Sequence, residues 1–481
     1  MLKRTLAVLL AAILVVALVG CGSQKRQPVQ LTLSTEDAED ILAAAGVVLP
    51  DYEEAVGADT TITYLYYYDD FHNYSQDELI QTGYWTFQNK YNGNVVWSET
   101  TWADLSNDLA QAVLGGTPPD FTRAWESNFP TFFTQQMLAP VGDYIDYNDP
   151  LWAEVKYFSD TFFSIGGEPY MFITDIQNNS CVLYNRRVFS EYGFDDPAEL
   201  FYNDEWTWDK MFDMAMDFSD PDENRYAFNS WHTDASFLSS TGTYVVLLDQ
   251  ETGKFYSNYD DPRLERGALM LMDFNKNDLH YPIWNTWSLN RGESAGGMKE
   301  GETLFGMDSR FILDEMVSRE AFENIYGDAG DVMVVPVPRD PNGDGEYYID
   351  SVPSGYCLCK NAPHPEAVAL LAACERFKII DPTVVRIDER QKREKLGWTQ
   401  EMLDMWNEMY KIAKSKTTIV QYTNLGNAQT YLGNMIGFNN WDNPSSWAEL
   451  KEANKDALDN AVNELNEMLA SYDPEAEVTA N

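Results

Sequence analysis

The stretch from residue 61 to residue 123 alternates between two hydrophobic periods, and this limits the folds open to the chain. Thr61 to Tyr68 (TITYLYYY) is β-branched and aromatic and reads as a strand, stopped by Asp69 and Asp70. Ser75 to Lys90 places Leu79, Ile80, Gly83 and Phe87 roughly on one side of a helix. Val95-Val96-Trp97 reads as a second strand, and Trp102 to Leu114 as a second helix closed by Gly115-Gly116. Pro118-Pro119-Asp120-Phe121 then feeds a third, short strand. Strand, helix, strand, helix, strand is the pattern of parallel βαβ units in an open α/β sheet. Such sheets bind ligands beyond the carboxyl ends of their strands. Tyr67, Tyr68, Asp69, Asp70, Asp120 and the residues after Phe121 fall on that side.

The chain has 481 residues, more than one compact domain usually holds, so two or three are expected. Hydrophobic residues make up 44 %, enough for packed cores. Lys and Arg number 33 against 77 Asp and Glu, a net charge of −44. A nucleic-acid partner needs a basic face, and adsorption on anionic lipid needs basic clusters; this balance offers neither. The 14 Trp, 28 Tyr and 24 Phe leave rings beyond the needs of the cores, available to a binding surface.

Lys3 and Arg4 precede an apolar run from Thr5 to Gly20. A spanning helix takes roughly 20 residues, so this shorter run fits the apolar part of a signal peptide. It ends Leu18-Val19-Gly20-Cys21, which resembles the lipobox of bacterial lipoproteins. The resemblance implies a leader of residues 1–20, a mature N-terminus at Cys21, and acyl chains such as palmitate on that cysteine. Acyl chains anchor by about 0.8 kcal/mol per buried methylene, with no help from protein charge. Residues 21–58 read mainly as a tether, with an acidic, Ala-rich patch from Thr35 to Ala45 able to form a short helix; 471–481 reads as a frayed tail. Cys181, Cys357, Cys359 and Cys374 are too few for a disulfide scaffold and read as free or structural thiols.

Seven further segments follow one another along the chain: GGTPPDF (115–121), GGEPYMF (166–172), VLYNRRVFSEYGFDDP (182–197), WTWDKMFDMA (206–215), MKEGETLFGM (298–307), VMVVPVPRDPNGDG (332–345) and SGYCLCKNAPHPEAVALLAACERF (354–377). In this order they resemble the segments of the family 1 extracellular solute-binding proteins, the receptors of carbohydrate ABC importers, of which maltose-binding protein is a familiar member. The match runs over about 60–470. It departs at Glu302-Thr303-Leu304-Phe305, where the family usually has Lys-Ala-Ala after the glycine, and at 421–447, an aromatic stretch without a counterpart. The ligand is therefore not carried over from maltose.

The resemblance implies an α/β, two-lobed periplasmic-binding-protein-like fold (type II), with a ligand cleft between lobes joined by crossing hinge strands. Lobe 1 is expected over 59–174 and 338–390, lobe 2 over 178–335 and 391–470, with crossings near 173–180 and 334–338. Cleft closure on the ligand is then what the importer reads. Sugars want planar polar groups for their hydroxyls and flat rings for their C–H faces. Loop position and the resemblance together nominate Tyr67, Asp69, Asp120, Trp125, Trp231, Asp308, Arg310, Tyr356 and Trp441 as ligand-binding residues. Asp120 is as well placed to cap its own turn. Thr207 reads as the N-cap of a helix starting at Trp208, and Tyr184-Asn185 as core and turn.

The implied function is a lipid-anchored receptor on the extracellular face of the cell membrane, monomeric, serving a pair of permease subunits, with no enzymatic activity, cofactor or metal. His72, His232, His280 and His364 lack metal-ligand spacing. Asp340-Pro-Asn-Gly-Asp344-Gly345 looks like the front half of a calcium loop, but its twelfth position is Ser351, and a polar turn is the better reading. The alternatives are a receptor for a non-sugar solute, such as a peptide or polyamine, and a secreted glycoside hydrolase, which needs a matched pair of carboxylates.

Overall fold

The computed structural model describes residues 33–49, 60–72, 79–125, 128–229, 233–249, 251–281, 297–309, 319–422, 425 and 446–471. The βαβαβ unit opens the body: β1 (Thr60–Tyr66), α2 (Thr82–Tyr91), β2 (Gly93–Glu99), α3 (Leu105–Leu114) and β3 (Phe121–Arg123). β1 pairs in parallel with both β2 and β3, so β1 lies between them. Ile62, Tyr64 and Tyr66 are buried on one face of β1, where Phe121 joins them, and Leu65 is buried on the other, with Thr61 and Thr63 partly covered. Tyr64 stacks on Phe121 (4.8 Å between centroids) and meets Phe71 edge-on (5.2 Å).

The chain then builds a second sheet. β4 (Phe172–Asn178) belongs to the first sheet, and after Asn179 the next strand, β5 (Ser180–Asn185), belongs to the second. α4 (Arg186–Tyr192), α5 (Trp208–Phe218), β6 (Tyr226–Phe228), α6 (Thr233–Ser240), the hairpin β7 (Val246–Asp249) and β8 (Lys254–Ser257), α7 (Pro262–Lys276), β9 (Thr303–Ser309), α8 (Arg319–Tyr326) and β10 (Val332–Val335) follow. The second sheet has the order β10-β5-β9-β6. The return strand β11 (Ile349–Leu358) rejoins the first sheet, followed by α9 (Pro365–Ile380), α10 (Pro382–Gln391), α11 (Gln400–Ala413), β12 (Thr418–Ile419) and α12 (Trp447–Ala470). The first sheet has the order β12-β11-β3-β1-β2, with β4 also on β11. This is a two-lobed, mixed α/β fold of the periplasmic-binding-protein kind. β12 joins the first sheet although it lies in a stretch expected wholly within the second lobe, and α11 packs against strands of both sheets.

Three stretches of the chain meet where the sheets adjoin. Asn179, between β4 and β5, donates its main-chain N–H to the carbonyl of Asp350 (2.8 Å) and its Nδ2 to Asp350 Oδ2 (3.0 Å). Asp350 stands at the start of β11, where the second passage ends. Gln421, just past β12, donates Nε2 to the same Asp350 Oδ2 (3.1 Å).

Local signals behave as the sequence suggests in several places. Thr207 Oγ1 accepts from Lys210 N, Asn185 Oδ1 accepts from Arg187 N, and Tyr184 is fully buried. Gly355 is obligatory: its φ is +144°, and a Cβ there would stand 1.8 Å from the Phe172 carbonyl oxygen. In the 340–345 turn the carboxylates are occupied by protein donors. Arg266 donates to Asp340 Oδ2 from Nε (2.8 Å), and Tyr348 OH donates to Asp344 Oδ2 (2.7 Å). The four described cysteines are buried, with no disulfide joining them.

One expectation needs correction. Within the stretch read as a tether, α1 (Thr35–Val48) is a helix packed on the first lobe. Ile41 and Ala45 are fully buried with Leu49 beside them, an i, i+4, i+8 stripe that the acidic composition conceals. Asp37 pairs with Arg390 of α10. Cys21 lies outside the described residues.

α9 is held by Arg376, fully buried, whose Nε donates to Leu151 O (2.7 Å) and Nη1 to Thr174 O (2.9 Å), with Nη2 on Glu154. α10 is less comfortable. Burial pushes the Asp388 carboxyl up to about 6; Lys378, a hydrogen bond from Thr82 Oγ1 (3.0 Å) and Lys392 oppose this, and Glu375 adds to it. The ordinary value is 3.8, so the folded state holds this proton more tightly than the unfolded chain. That contribution to stability is complete below about pH 4 and is lost as the pH rises through about 6. Asp388→Asn should therefore raise the melting temperature at pH 7.5, and the gain should disappear as the pH is lowered from 6 to 4. A gain of equal size at every pH would assign the effect to something other than this carboxyl.

Candidate ligand-binding site

The carboxyl ends of β1, β2 and β3 carry a row of rings, bridged at one point by an arginine. Trp102, in the turn before α3, is 62 % exposed and meets Tyr67 edge-on at 5.4 Å. Tyr67 lies 4.2 Å from the Tyr66 ring, and Tyr66 OH donates to Tyr67 OH (3.1 Å). The Arg123 guanidinium stands over both Tyr66 (5.9 Å) and Trp125 (5.2 Å). Trp97 Nε1 donates to the Tyr66 carbonyl (2.9 Å), tying β2 into the row.

The row is fixed from beneath by acids. Arg123 Nη1 bonds Asp70 Oδ1 (3.1 Å), and Tyr64 OH donates to the other Asp70 oxygen. Burial raises the Asp70 carboxyl while Arg123 opposes it, and the same burial lifts the Tyr64 and Tyr66 hydroxyls well above their ordinary range. The wall therefore offers flat apolar faces and an ion pair already closed on itself, a surface for C–H faces and hydroxyls.

Among the residues nominated from sequence, Tyr67 and Trp125 stand together in this row. Asp69 is buried behind it: Oδ1 accepts from Phe71 N (3.1 Å), His72 N (3.0 Å) and His72 Nδ1 (2.9 Å). Asp120 is 1 % exposed, its Oδ2 accepting from Thr63 N (2.7 Å) and its Oδ1 from His364 N (2.8 Å) and Nδ1 (3.1 Å). Asp69 shapes the loop leaving β1, whereas Asp120 precedes β3 and pins its amino end to Thr63 and His364, away from the ring-bearing strand ends where it was expected. Tyr356 is buried edge-on against Phe121 (5.0 Å), a core position below the wall. Asp308 lies on β9 opposite Cys181, on the second sheet. Trp231, Arg310 and Trp441 lie outside the described residues. Trp102 and Arg123 were missed as individual sites. Trp102 read as the first residue of a helix that in fact begins at Leu105, and Arg123 as one of several residues after Phe121.

A separate open groove of about 670 Å³ lies in the second lobe, between α8 and the start of α4. Its charges answer one another, as in Arg319 with Glu323 and Asp328, and it has no aromatic lining.

Two sheets joined by crossing strands, with a ring-lined ledge at the strand ends, define a solute-binding architecture. The family model for bacterial extracellular solute-binding proteins matches residues 68–375, and the chain belongs to that family. Among solved structures, the sugar-binding protein MalE from Xanthomonas citri superposes with a TM-score of 0.60 at 13 % identity, over 86 % of this chain and 100 % of its own. The GacH receptor of Streptomyces glaucescens, solved unliganded and with acarbose, gives 0.58 at 14 % identity, covering 87 % and 100 %. The galacto-N-biose/lacto-N-biose I-binding protein of an ABC transporter from Bifidobacterium longum gives 0.58 at 15 %, covering 86 % and 98 %. At these identities the likeness establishes the fold. No curated protein sequence matches the chain.

The division between supporting acids and exposed rings has a direct test. Asp120→Ala strands three donors and should cost about 2 to 3 kcal/mol in denaturant unfolding. Trp102→Ala should stay within about 0.5 kcal/mol of the parent. A stable Asp120→Ala protein would return that carboxylate to the list of groups free to meet a ligand.

Proposed function

We propose that this protein is a lipid-anchored extracellular receptor that captures a sugar or oligosaccharide between its lobes and hands it to the permease subunits of an ABC importer. The observation that carries the sugar reading is the wall of Tyr67, Trp102 and Trp125 at the carboxyl ends of β1, β2 and β3. Rings set in a row suit the C–H faces of consecutive pyranoses, and a wall with no unpaired cation among the described residues suits a neutral or weakly polar glycan. Structural neighbours carry acarbose, maltotetraose or lacto-N-biose, which supports the same class. In this reading lobe 1 is 59–174 and 338–390 and lobe 2 is 178–335 and 391–470, with α1 an added part of lobe 1 and β12 lying at the junction. Trp231, Asp308, Arg310 and Trp441 remain candidates for the opposing wall. The Leu18-Val19-Gly20-Cys21 motif supports acylation at Cys21 and retention at the membrane.

A thermal-shift panel of maltotetraose, acarbose, lacto-N-biose and monosaccharides, with peptides and polyamines alongside, tests the substrate class. Ligand at 100 times its dissociation constant stabilises by about 2.7 kcal/mol, a clear shift in melting temperature. One glycan class should shift the transition and be recovered unchanged. Trp102→Ala and Trp125→Ala should each weaken that glycan at least about tenfold, or about 1.4 kcal/mol. A shift with peptides or polyamines alone would overturn the sugar reading, and a consumed glycan would revive the hydrolase. For the anchor, Cys21→Ser should release the protein from membranes and abolish labelling by a palmitate analogue; unchanged retention and labelling would remove the lipoprotein reading.

A further inference from the structure

Gln421 is 4 % exposed and sits where the chain makes its third contact between the sheets. Its main chain follows β12, which is bonded to β11 of the first sheet. Its side chain reaches the second lobe. Nε2 lies within hydrogen-bond distance of three acceptors: Asp350 Oδ2 (3.1 Å), Ser239 Oγ (2.7 Å) and the Ala235 carbonyl (3.2 Å). Tyr244 OH donates to Gln421 Oε1 (3.3 Å). Asp350 belongs to the first sheet, whereas Ala235 and Ser239 are on α6, which follows β6 of the second.

An amide nitrogen has two hydrogens, so three acceptors cannot all be served at once. The bond to the charged carboxylate is intrinsically the stronger, and two neutral acceptors compete with it from the other lobe. In a buried, low-dielectric setting such competition favours distinct arrangements over a continuous drift. We propose that Gln421 is a positioning residue that sets the resting angle between the lobes, by dividing its two hydrogens between Asp350 on the first sheet and α6 on the second. Asn179 holds Asp350 Oδ2 from the first passage, so the carboxylate is the fixed point and Gln421 the adjustable arm. The inference rests on the reading that the lobes move as a receptor's do, and it concerns the protein before any ligand arrives.

The experiment needs no ligand, so its result is independent of which solute is bound. Spin labels at Leu114→Cys on α3 and Leu269→Cys on α7, both exposed positions, report the interlobe distance in the mature chain carrying Cys21→Ser. The native thiols at 181, 357, 359 and 374 are buried and out of reach. Gln421→Glu replaces both donors and sets a second carboxylate against Asp350. It should change the ratio of the distance populations by about tenfold relative to the parent. Ser239→Ala removes a competing acceptor and should move the distribution the opposite way. Asp350→Asn, with Gln421 keeping both hydrogens, weakens only the first-sheet arm and should move the distribution opposite to Ser239→Ala. A lower melting temperature with an unmoved distribution would make Gln421 merely structural and overturn the proposal. So would a distribution in Asp350→Asn identical to that of the parent. Should Gln421→Glu not fold, an unchanged distribution in Ser239→Ala would overturn it alone.

Discussion

A single buried carboxylate, Asp350, organises the junction on which a two-lobed protein of this kind depends. Burying a charge is unfavourable unless donors surround it. Here the donors come from the other two stretches of the chain, Asn179 and Gln421. That solution has a consequence an apolar junction would not have. Close-packed apolar side chains resist relative motion because any shift opens voids, whereas polar partners at the pivot can be exchanged for one another at similar energy. The lobes themselves are apolar and rigid, with Ile62, Tyr64, Phe121, Val182, Leu183 and Val334 all buried. Stiff bodies and a polar pivot are the combination that confines motion to the pivot.

The ring-lined wall follows from the same separation of tasks. Parallel strands expose their carboxyl ends on one side; Asp69 bends back the loop leaving β1, while Asp120, at the amino end of β3, ties that strand to β1 and to the residues before α9, each by accepting main-chain N–H groups. Once those carboxylates are engaged, they cannot double as strong ligand acceptors. The exposed chemistry is left to Trp102, Tyr67 and Trp125, with Arg123 filling the gap between two rings and Asp70 neutralising it. Such a wall gains from ring-face contact, which is broad and tolerant of hydroxyl stereochemistry. Finer selection then falls to polar groups elsewhere in the cleft.

How much of this the sequence disclosed varies with the range of the interaction. The βαβαβ unit was legible because its hydrophobic period is local, and β1 and α3 fall within a few residues of where periodicity puts them. The helix starting at Trp208 was legible because Thr207 caps it three residues away. The docking of α1 was hidden: Ile41, Ala45 and Leu49 form a thin stripe in an acidic stretch, and only the facing surface of α10 shows what it covers. At the site, Tyr67 and Trp125 could be placed from strand ends alone. Asp69 could be placed too, and Asp120 beside β3, but not which way their oxygens point. That depends on His72 and on His364, the latter 244 positions away from Asp120. Trp102 escaped because a residue one turn ahead of a helix resembles a residue inside it. The junction at Asp350 was out of reach, since Asn179 and Gln421 meet it across 171 and 71 positions.

Charge closes the account of how surface and site differ. A net charge of −44 gives the whole molecule a field that repels anions, and it acts through a Debye length of about 8 Å at physiological salt. A receptor for an anionic solute would have to overcome that field with local cations. The one described cation on the wall, Arg123, is held by Asp70 and sandwiched between Tyr66 and Trp125. Pulling it out to meet an anion would strand a half-buried carboxylate and separate two rings. The same arrangement costs a neutral glycan nothing: it meets rings without displacing the ion pair, and the outer field does not act on it. The acidic exterior and the internally neutral wall are thus consistent with one class of cargo, and each would be poorly suited to an anionic one.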